Sequence, residues 1–144
     1  TTVKKVSSTL KNGTFTVSGK GKMPESAMPK VAQKKKIKKI VIKNGVTELP
    51  EDAFRDCSKA TVITIAPTVN RIGAMAFYNT GVEKITIPKK AGNLGYGMLQ
   101  NCKNLKKLTI PGNFWAREPK KAANKKNLIG SLILGKEKCR DNNF

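Results

Sequence analysis

The sequence predicts an α/β-type repeat solenoid: a right-handed stack of about 4–5 units closed at its N-terminal end by a β cap. Three observations predict it. The segments Ile63-Thr64-Ile65 and Ile85-Thr86-Ile87 start 22 residues apart (85 − 63), and the apolar pairs that close their units, Ala76-Phe77 and Met98-Leu99, keep the same offset (98 − 76). The same start recurs at Ile40-Val41-Ile42, at Leu108-Thr109-Ile110 and, degraded, at Leu132-Ile133-Leu134. Each start alternates inward and outward positions as a half-buried strand must. A unit this short cannot bury its own apolar residues, so units that repeat at a fixed period bury them by stacking.

The elements follow in chain order. Residues 1–36 are read as an N-terminal cap and connector. In it Phe15 and Val17 alternate with Thr14, Thr16 and Ser18, after an Asn12-Gly13 turn and before Gly19-Lys20-Gly21. Such a piece is required because the first repeat of an array has a naked end. Beyond Pro24, the residues Met28, Val31 and Ala32 predict one apolar stripe on a short helix. Residues 37–112 are the repeats proper. Each opens on three apolar positions: Ile37, Ile40, Ile42; Ala60, Ile63, Ile65; Val82, Ile85, Ile87; and Leu105, Leu108, Ile110. Each then turns through a second apolar pair, Val46 and Leu49, Val69 and Ile72, or Ala91 and Leu94. The closing pairs are Ala53-Phe54, Ala76-Phe77 and Met98-Leu99. Residues 113–144 are read as a degenerate last repeat, with Ile129, Leu132 and Leu134, and a C-terminal tail. Phe114 keeps the core phase; Trp115 sits one residue off it, either covering the final repeat or offering a ligand-stacking platform. Cys139 to Phe144 are expected to be poorly ordered.

A period of 20 to 29 residues marks a leucine-rich-repeat solenoid. Three residues after each strand, where such repeats usually carry asparagine, this chain has Gly45, Thr68, Lys90 and Asn113. Residues 63–77, Ile-Thr-Ile-Ala-Pro-Thr-Val-Asn-Arg-Ile-Gly-Ala-Met-Ala-Phe, resemble instead the BspA-like leucine-rich repeats of bacterial surface proteins. The segment from Gly13 to Met23 is similar to the cap that precedes such repeats, and the resemblance runs over residues 12 to 112. It implies an exported or surface-anchored protein, linked to adhesion to host matrix, hosts or other microbes, and hence an extracellular or cell-surface location. The third full unit departs from the pattern, with Leu94-Gly95 and Met98-Leu99 in place of Ile-Gly and Ala-Phe.

Composition narrows the chemistry. Twenty-nine Lys+Arg against nine Asp+Glu give a formal charge of +20, which favours anionic partners. All but four of the basic residues are lysine, and bidentate phosphate or base recognition prefers arginine. That balance, with few exposed aromatics for stacking, argues against nucleic acid. Histidine is absent, removing the commonest general base and metal ligand. The three cysteines, at 57, 102 and 139, lack zinc spacing. Cys57 and Cys102 share one phase two units apart, about 9.5 Å at strand spacing, too far for a bridge. They are expected to be buried and reduced, with Cys139 the first thiol to react. Glycines 92, 95 and 97 fall inside a repeat turn rather than after a Rossmann strand, so they do not cradle a nucleotide. The acidic group Glu48, Glu51, Asp52 and Asp56 is expected to be a solvated face. No nucleophile–base pair recurs and no run of about 18 apolar residues spans a membrane. The expectation is a protein with no catalytic residues, no cofactor and no metal.

The strand faces remain. Between inward positions lie Val41, Thr64, Thr86, Thr109 and Ile133; just before them lie Lys39, Val62, Lys84, Lys107 and Ser131. Stacking turns these into a threonine row beside an interrupted lysine row, flanked by Lys38 and Lys106. Neighbouring ammonium groups repel at strand spacing unless anions bind them. Lys38, Lys39, Lys84, Lys106, Lys107, Thr64, Thr86 and Thr109 are therefore the candidate ligand-binding residues. The competing expectation is a surface that is lysine-rich everywhere. The predicted function is a non-enzymatic binding or adhesion domain whose partners are host or microbial surface proteins or sulfated or acidic glycans. The alternatives are a structural spacer within a larger surface protein and charge-driven nucleic-acid binding.

Overall fold

The computed structural model describes residues 5–91, 93–95 and 97–109. The chain enters through a hairpin, β1 (Ser7–Lys11) and β2 (Thr14–Ser18), paired antiparallel. Asn12 and Gly13 both take positive φ, 51° and 80°, which matches the hairpin to the right-handed strand twist. Strands β4 (Lys39–Ile42), β6 (Val62–Ile65), β8 (Lys84–Thr86) and β10 (Lys107–Thr109) then stack in parallel on β2, giving one six-stranded sheet in the order β1-β2-β4-β6-β8-β10. A second, four-stranded sheet has the order β3-β5-β7-β9, from β3 (Gly21–Lys22), β5 (Val46–Leu49), β7 (Arg71–Ile72) and β9 (Asn93–Leu94). Among the described residues, the units that open on β4, β6 and β8 each contribute one strand to each sheet and then close through an arc of turns. The predicted solenoid is the observed one.

The core lies between the two sheets and the arcs. Phe15, Ile40, Ile63 and Ile85 point inward from the first sheet, and Val46, Leu49 and Ile72 from the second; all are buried. The cap strand β2 is in register with the repeats, Phe15 beside Ile40 and Val17 beside Ile42, so the naked end is covered by continuing the sheet. From the arcs come Phe54 and Phe77, both fully buried, their rings stacked at 5.6 Å and 6°; Phe15 meets the Phe54 ring edge-on at 5.7 Å. These three rings form a spine down the array.

The α half of the predicted class is nearly missing. The described helices are a single turn, α1 (Val31–Lys34), and a 3₁₀ turn at Glu25–Ala27. The arcs are not helical because every second backbone donor is spent between units, the others closing single turns within the arc. Asp52, Phe54 and Asp56 N–H groups donate to the carbonyls of Ala74, Ala76 and Tyr78, and Phe77 and Asn79 to Met98 and Gln100. Positive φ at Asp52, Asp56, Met75, Asn79, Gly97 and Asn101 enforces that geometry twice per arc. The stripe expected on α1 is also corrected. Val31 is 85% exposed and Ala32 is exposed, while Met28 alone of the three packs against the core. Four residues complete only one turn, too short to turn a second apolar residue onto the same side.

Cys57 and Cys102 are buried and unbridged, as their spacing predicts. Burial pushes the Cys57 thiol up from 9.0 to about 12, against the pull of Lys34 and with the help of Asp56. Burial also raises Cys102, opposed by a hydrogen bond with Thr80 at 3.3 Å; the Cys102 thiol donates to the Phe77 carbonyl at 3.1 Å. Two outcomes are expected. Maleimide should leave Cys57 untouched in the folded protein and modify it on denaturation, as peptide mapping would read. Between pH 9 and about 12 the unfolded Cys57 loses its proton while the folded thiol keeps it, so this contribution is complete below pH 9 and lost as pH rises. Denaturation midpoints measured across that window should fall, and a flat profile would contradict the burial. Ile110, Phe114, Trp115, residues 129–134 and Cys139, for which the sequence raises expectations, lie outside the described residues, as do Gly92 and Tyr96.

Candidate functional site

The parallel register converts sequence positions into columns on the outer face of the six-stranded sheet. One column runs Thr14, Lys39, Val62, Lys84, Lys107. The next outward column runs Thr16, Val41, Thr64 and, beyond the Val62–Lys84 pairing, Thr86 and Thr109. Lys39 is thus two strands from Lys84, with Val62 between them at 47% exposure, while Lys84 and Lys107 are direct neighbours. Like charges directly opposite on adjacent strands are destabilising, so this pair carries stored repulsion that an anion relieves.

Lys38 and Lys106 behave differently. Successive backbone bonds place them in a column Lys38, Thr61, Glu83, Lys106, one residue before the strands. Lys106 Nζ lies 3.9 Å from Glu83 Oε1 and is partly neutralised, leaving the column of Lys39, Lys84 and Lys107 as the uncompensated one. The second sheet shows the contrast. There Glu48 sits between Lys22 at 3.6 Å and Arg71 at 3.8 Å, in a cross-strand column where one carboxylate serves both cations. Among the described residues the first sheet's outer face has no such carboxylate within its strands.

The structure adds a feature that strand phase alone does not reveal. A shallow groove of about 550 Å³ runs along the face where β6, β8 and β10 meet. Its lining includes Thr64, Thr86, Thr109 and Lys84, and a rim formed by Pro67, Pro88 and Lys89. Four of the sequence-predicted residues therefore line one concavity; Lys39 and Lys107 lie in the adjoining column, and Lys38 and Lys106 outside it. Strand phase does not point to Lys89, because it lies three residues past the end of β8 and only the turn brings it to the same groove as Thr86. The sequence signal that points to it is the Pro88-Lys89 step directly after Ile87, with Pro67 as its counterpart one unit before.

The arcs hold a second ladder. Asn79 Nδ2 donates to Asp56 Oδ1 at 3.0 Å and Asn101 Nδ2 to Asn79 Oδ1 at 3.1 Å. The asparagine ladder sought after the strands thus stands at the arc instead, on residues with φ of 67°, 56° and 62°. Asx side chains are suited there because they tolerate the left-handed region. Arg55 lies 4.6 Å over the Tyr78 ring and reaches both Asp52 and Asp56. Asp52 and Asp56, like Glu48 on the second sheet, are thereby tied into pairs, and among the described residues no cluster capable of holding a metal ion is found. Nor is any described helix long and apolar enough to cross a membrane.

Two sheets whose repeat strands run parallel, wound from units of about 22 residues, define a leucine-rich-repeat solenoid. A family model, the BspA type leucine-rich repeat region (6 copies), matches residues 30–129, and the chain belongs to that family. Among solved structures it is similar to a leucine-rich cell surface protein from Faecalibacterium prausnitzii, with 27% identity and a TM-score of 0.51 over 51% of this chain and 20% of that one. It also resembles a leucine-rich repeat protein from Eubacterium ventriosum (22% identity, TM-score 0.48, 76% of this chain and 42% of that one). A third is the pneumococcal vaccine antigen PcpA (15% identity, TM-score 0.49, 78% of this chain and 39% of that one). The chain thus spans less than half the length of each. No curated protein matches it.

Proposed function

We propose that the chain is a non-catalytic binding module of a bacterial cell-surface or secreted protein, holding anionic partners on the outer face of its six-stranded sheet. The observation that carries this reading is the uncompensated column Lys39, Lys84 and Lys107, set against a second sheet whose charges pair with one another. Membership of the BspA-type family and the likeness to a cell surface protein support the location and the adhesive role. A folded, rigid face brings its charges to the partner without an ordering cost, which favours affinity. Release of condensed counterions makes binding to a polyanion fall steeply with salt.

Salt dependence alone does not separate a site from a charged coat, so the test compares two triple variants of equal charge change. One reverses Lys39, Lys84 and Lys107 to glutamate. The other reverses Lys20, Lys30 and Lys35, exposed residues in the connections between strands. With both variants folded by circular dichroism, the first is expected to elute from immobilised heparin at much lower salt than the second. Equal losses would mean that the lysines act only as a coat, and would leave the spacer role as the better reading.

A further inference from the structure

We propose that the groove along Thr64, Thr86 and Thr109 is a subsite for a linear acidic polysaccharide, lying across the strands with about one sugar per strand. The inference rests on the anion-binding reading above and names its ligand.

Three features of the groove select that chemistry. The first is period. Hydroxyls of Thr86 and Thr109 stand on paired strands, and Thr64 precedes them, so the row repeats at the strand spacing of about 4.8 Å. A pyranose residue advances a glycan chain by close to the same length, so successive sugars meet successive threonines. An extended peptide does not fit this rule: its same-face side chains recur every ~6.8 Å, two residues at ~3.4 Å, and drift out of step within three strands. The second feature is the type of group. Each threonine offers a donor and an acceptor, the complement of a sugar hydroxyl. Pro67 and Pro88 supply an apolar rim for the C–H face of a ring. None of the described lining residues is aromatic, so they offer a single-stranded nucleic acid no base-stacking platform.

The third feature is charge placement. Lys84 borders the threonine row on the side of the lysine column, and Lys89 borders it on the rim. A chain in the groove has an ammonium group on each side, so carboxylates or sulfates alternating about a glycan axis are met on both edges. Lys107 extends the same border by one strand. At about 550 Å³ the groove has the volume of an ordinary ligand site, enough for a short stretch of sugar rings rather than a single ion.

The test measures calorimetric affinity of the full chain for two polyanions, a heparin octasaccharide and a polyglutamate of matched charge. One variant carries Thr64→Val, Thr86→Val and Thr109→Val together. Valine keeps the β-branched shape and strand preference while removing the hydroxyls, so folding, checked by thermal melting, should persist. A second variant, Thr9→Val, Thr47→Val and Thr61→Val, alters exposed or half-buried threonines outside the groove and reports any general loss. The expected result is that the wild-type chain prefers the octasaccharide, and that the row variant loses about tenfold or more of that affinity while retaining its polyglutamate binding. Octasaccharide affinity unchanged in the row variant, or matched by the second variant's loss, would overturn the glycan assignment, as would wild-type preference for polyglutamate. The anion-binding reading fails separately: it falls if reversing Lys39, Lys84 and Lys107 leaves both polyanions bound as before.

Discussion

Truncating Phe77 to alanine is expected to lower stability by about 3–5 kcal/mol, the usual range for a fully buried phenylalanine. The ring has no exposed surface and stacks on Phe54, which in turn meets Phe15. The cavity cannot collapse easily, because the backbone above and below is held by bonds between arcs, Phe54 N–H to the Ala76 carbonyl and Phe77 N–H to that of Met98. In a stacked array stability is the sum of unit terms and nearest-neighbour terms, so a hole between two units weakens both sides of it. Chemical denaturation should show the loss in its midpoint. A double-mutant cycle with Phe54→Ala should also return a coupling of about 0.5–1.5 kcal/mol, as rings in contact do. A midpoint equal to wild type would show that the repeat phase is wrong.

Adding a single methyl at Gly73 is expected to cost about 3 kcal/mol, at the upper end of overpacking. The reason is close approach rather than backbone freedom. A Cβ there would lie 2.5 Å from the Glu51 nitrogen and 2.6 Å from the Pro50 carbonyl carbon, both main-chain atoms of the unit before. Main chain cannot swing aside as a side-chain tip can. Gly95 repeats the arrangement one unit on, where a Cβ would collide with the backbone of Gly73 and Ala74. Gly73→Ala should therefore shift the denaturation midpoint strongly and Gly73→Ser at least as much. A wild-type midpoint for Gly73→Ala would mean that these turns are not packed backbone to backbone.

Both predictions concern positions that the repeat pattern makes visible, and they show how far that visibility extends. The Ile-Gly step and the Ala-Phe step are recognisable in the sequence because every unit must solve the same packing problem at the same offset. Strand phase is legible for a similar reason: residues two apart on a strand share a face, so alternation alone assigns Ile63 and Ile65 inward and Thr64 outward. The candidate site inherits this, since a column on the sheet is the same strand position read across units. Lys39, Lys84, Lys107 and the three threonines follow from arithmetic on the chain.

Other features depend on groups that meet only after stacking. Nothing local in Asp56, Asn79 or Asn101 announces an amide ladder, whose bonds join residues 22 or 23 positions apart. The arcs resist sequence reading because their closing apolar pairs fit a helix face as well as a turn; bonds to the next unit decide between them. Val31 lies exposed although its neighbours in sequence suggest a stripe, because a one-turn helix presents too little surface to dock.

The period, the inward and outward alternation, a strand-built N-terminal cap, and the excess of lysine over acid are legible in the chain alone. These are set by what each residue can bury and by covalent spacing, which are local. Folding settles which lysines keep their charge uncompensated, since Lys106 meets Glu83 at 3.9 Å across a unit boundary whereas Lys84 and Lys107 meet each other. It also settles that Lys89 and the prolines rise beside the threonine row to make a groove, because charge pairing and concavity depend on distances through space between units.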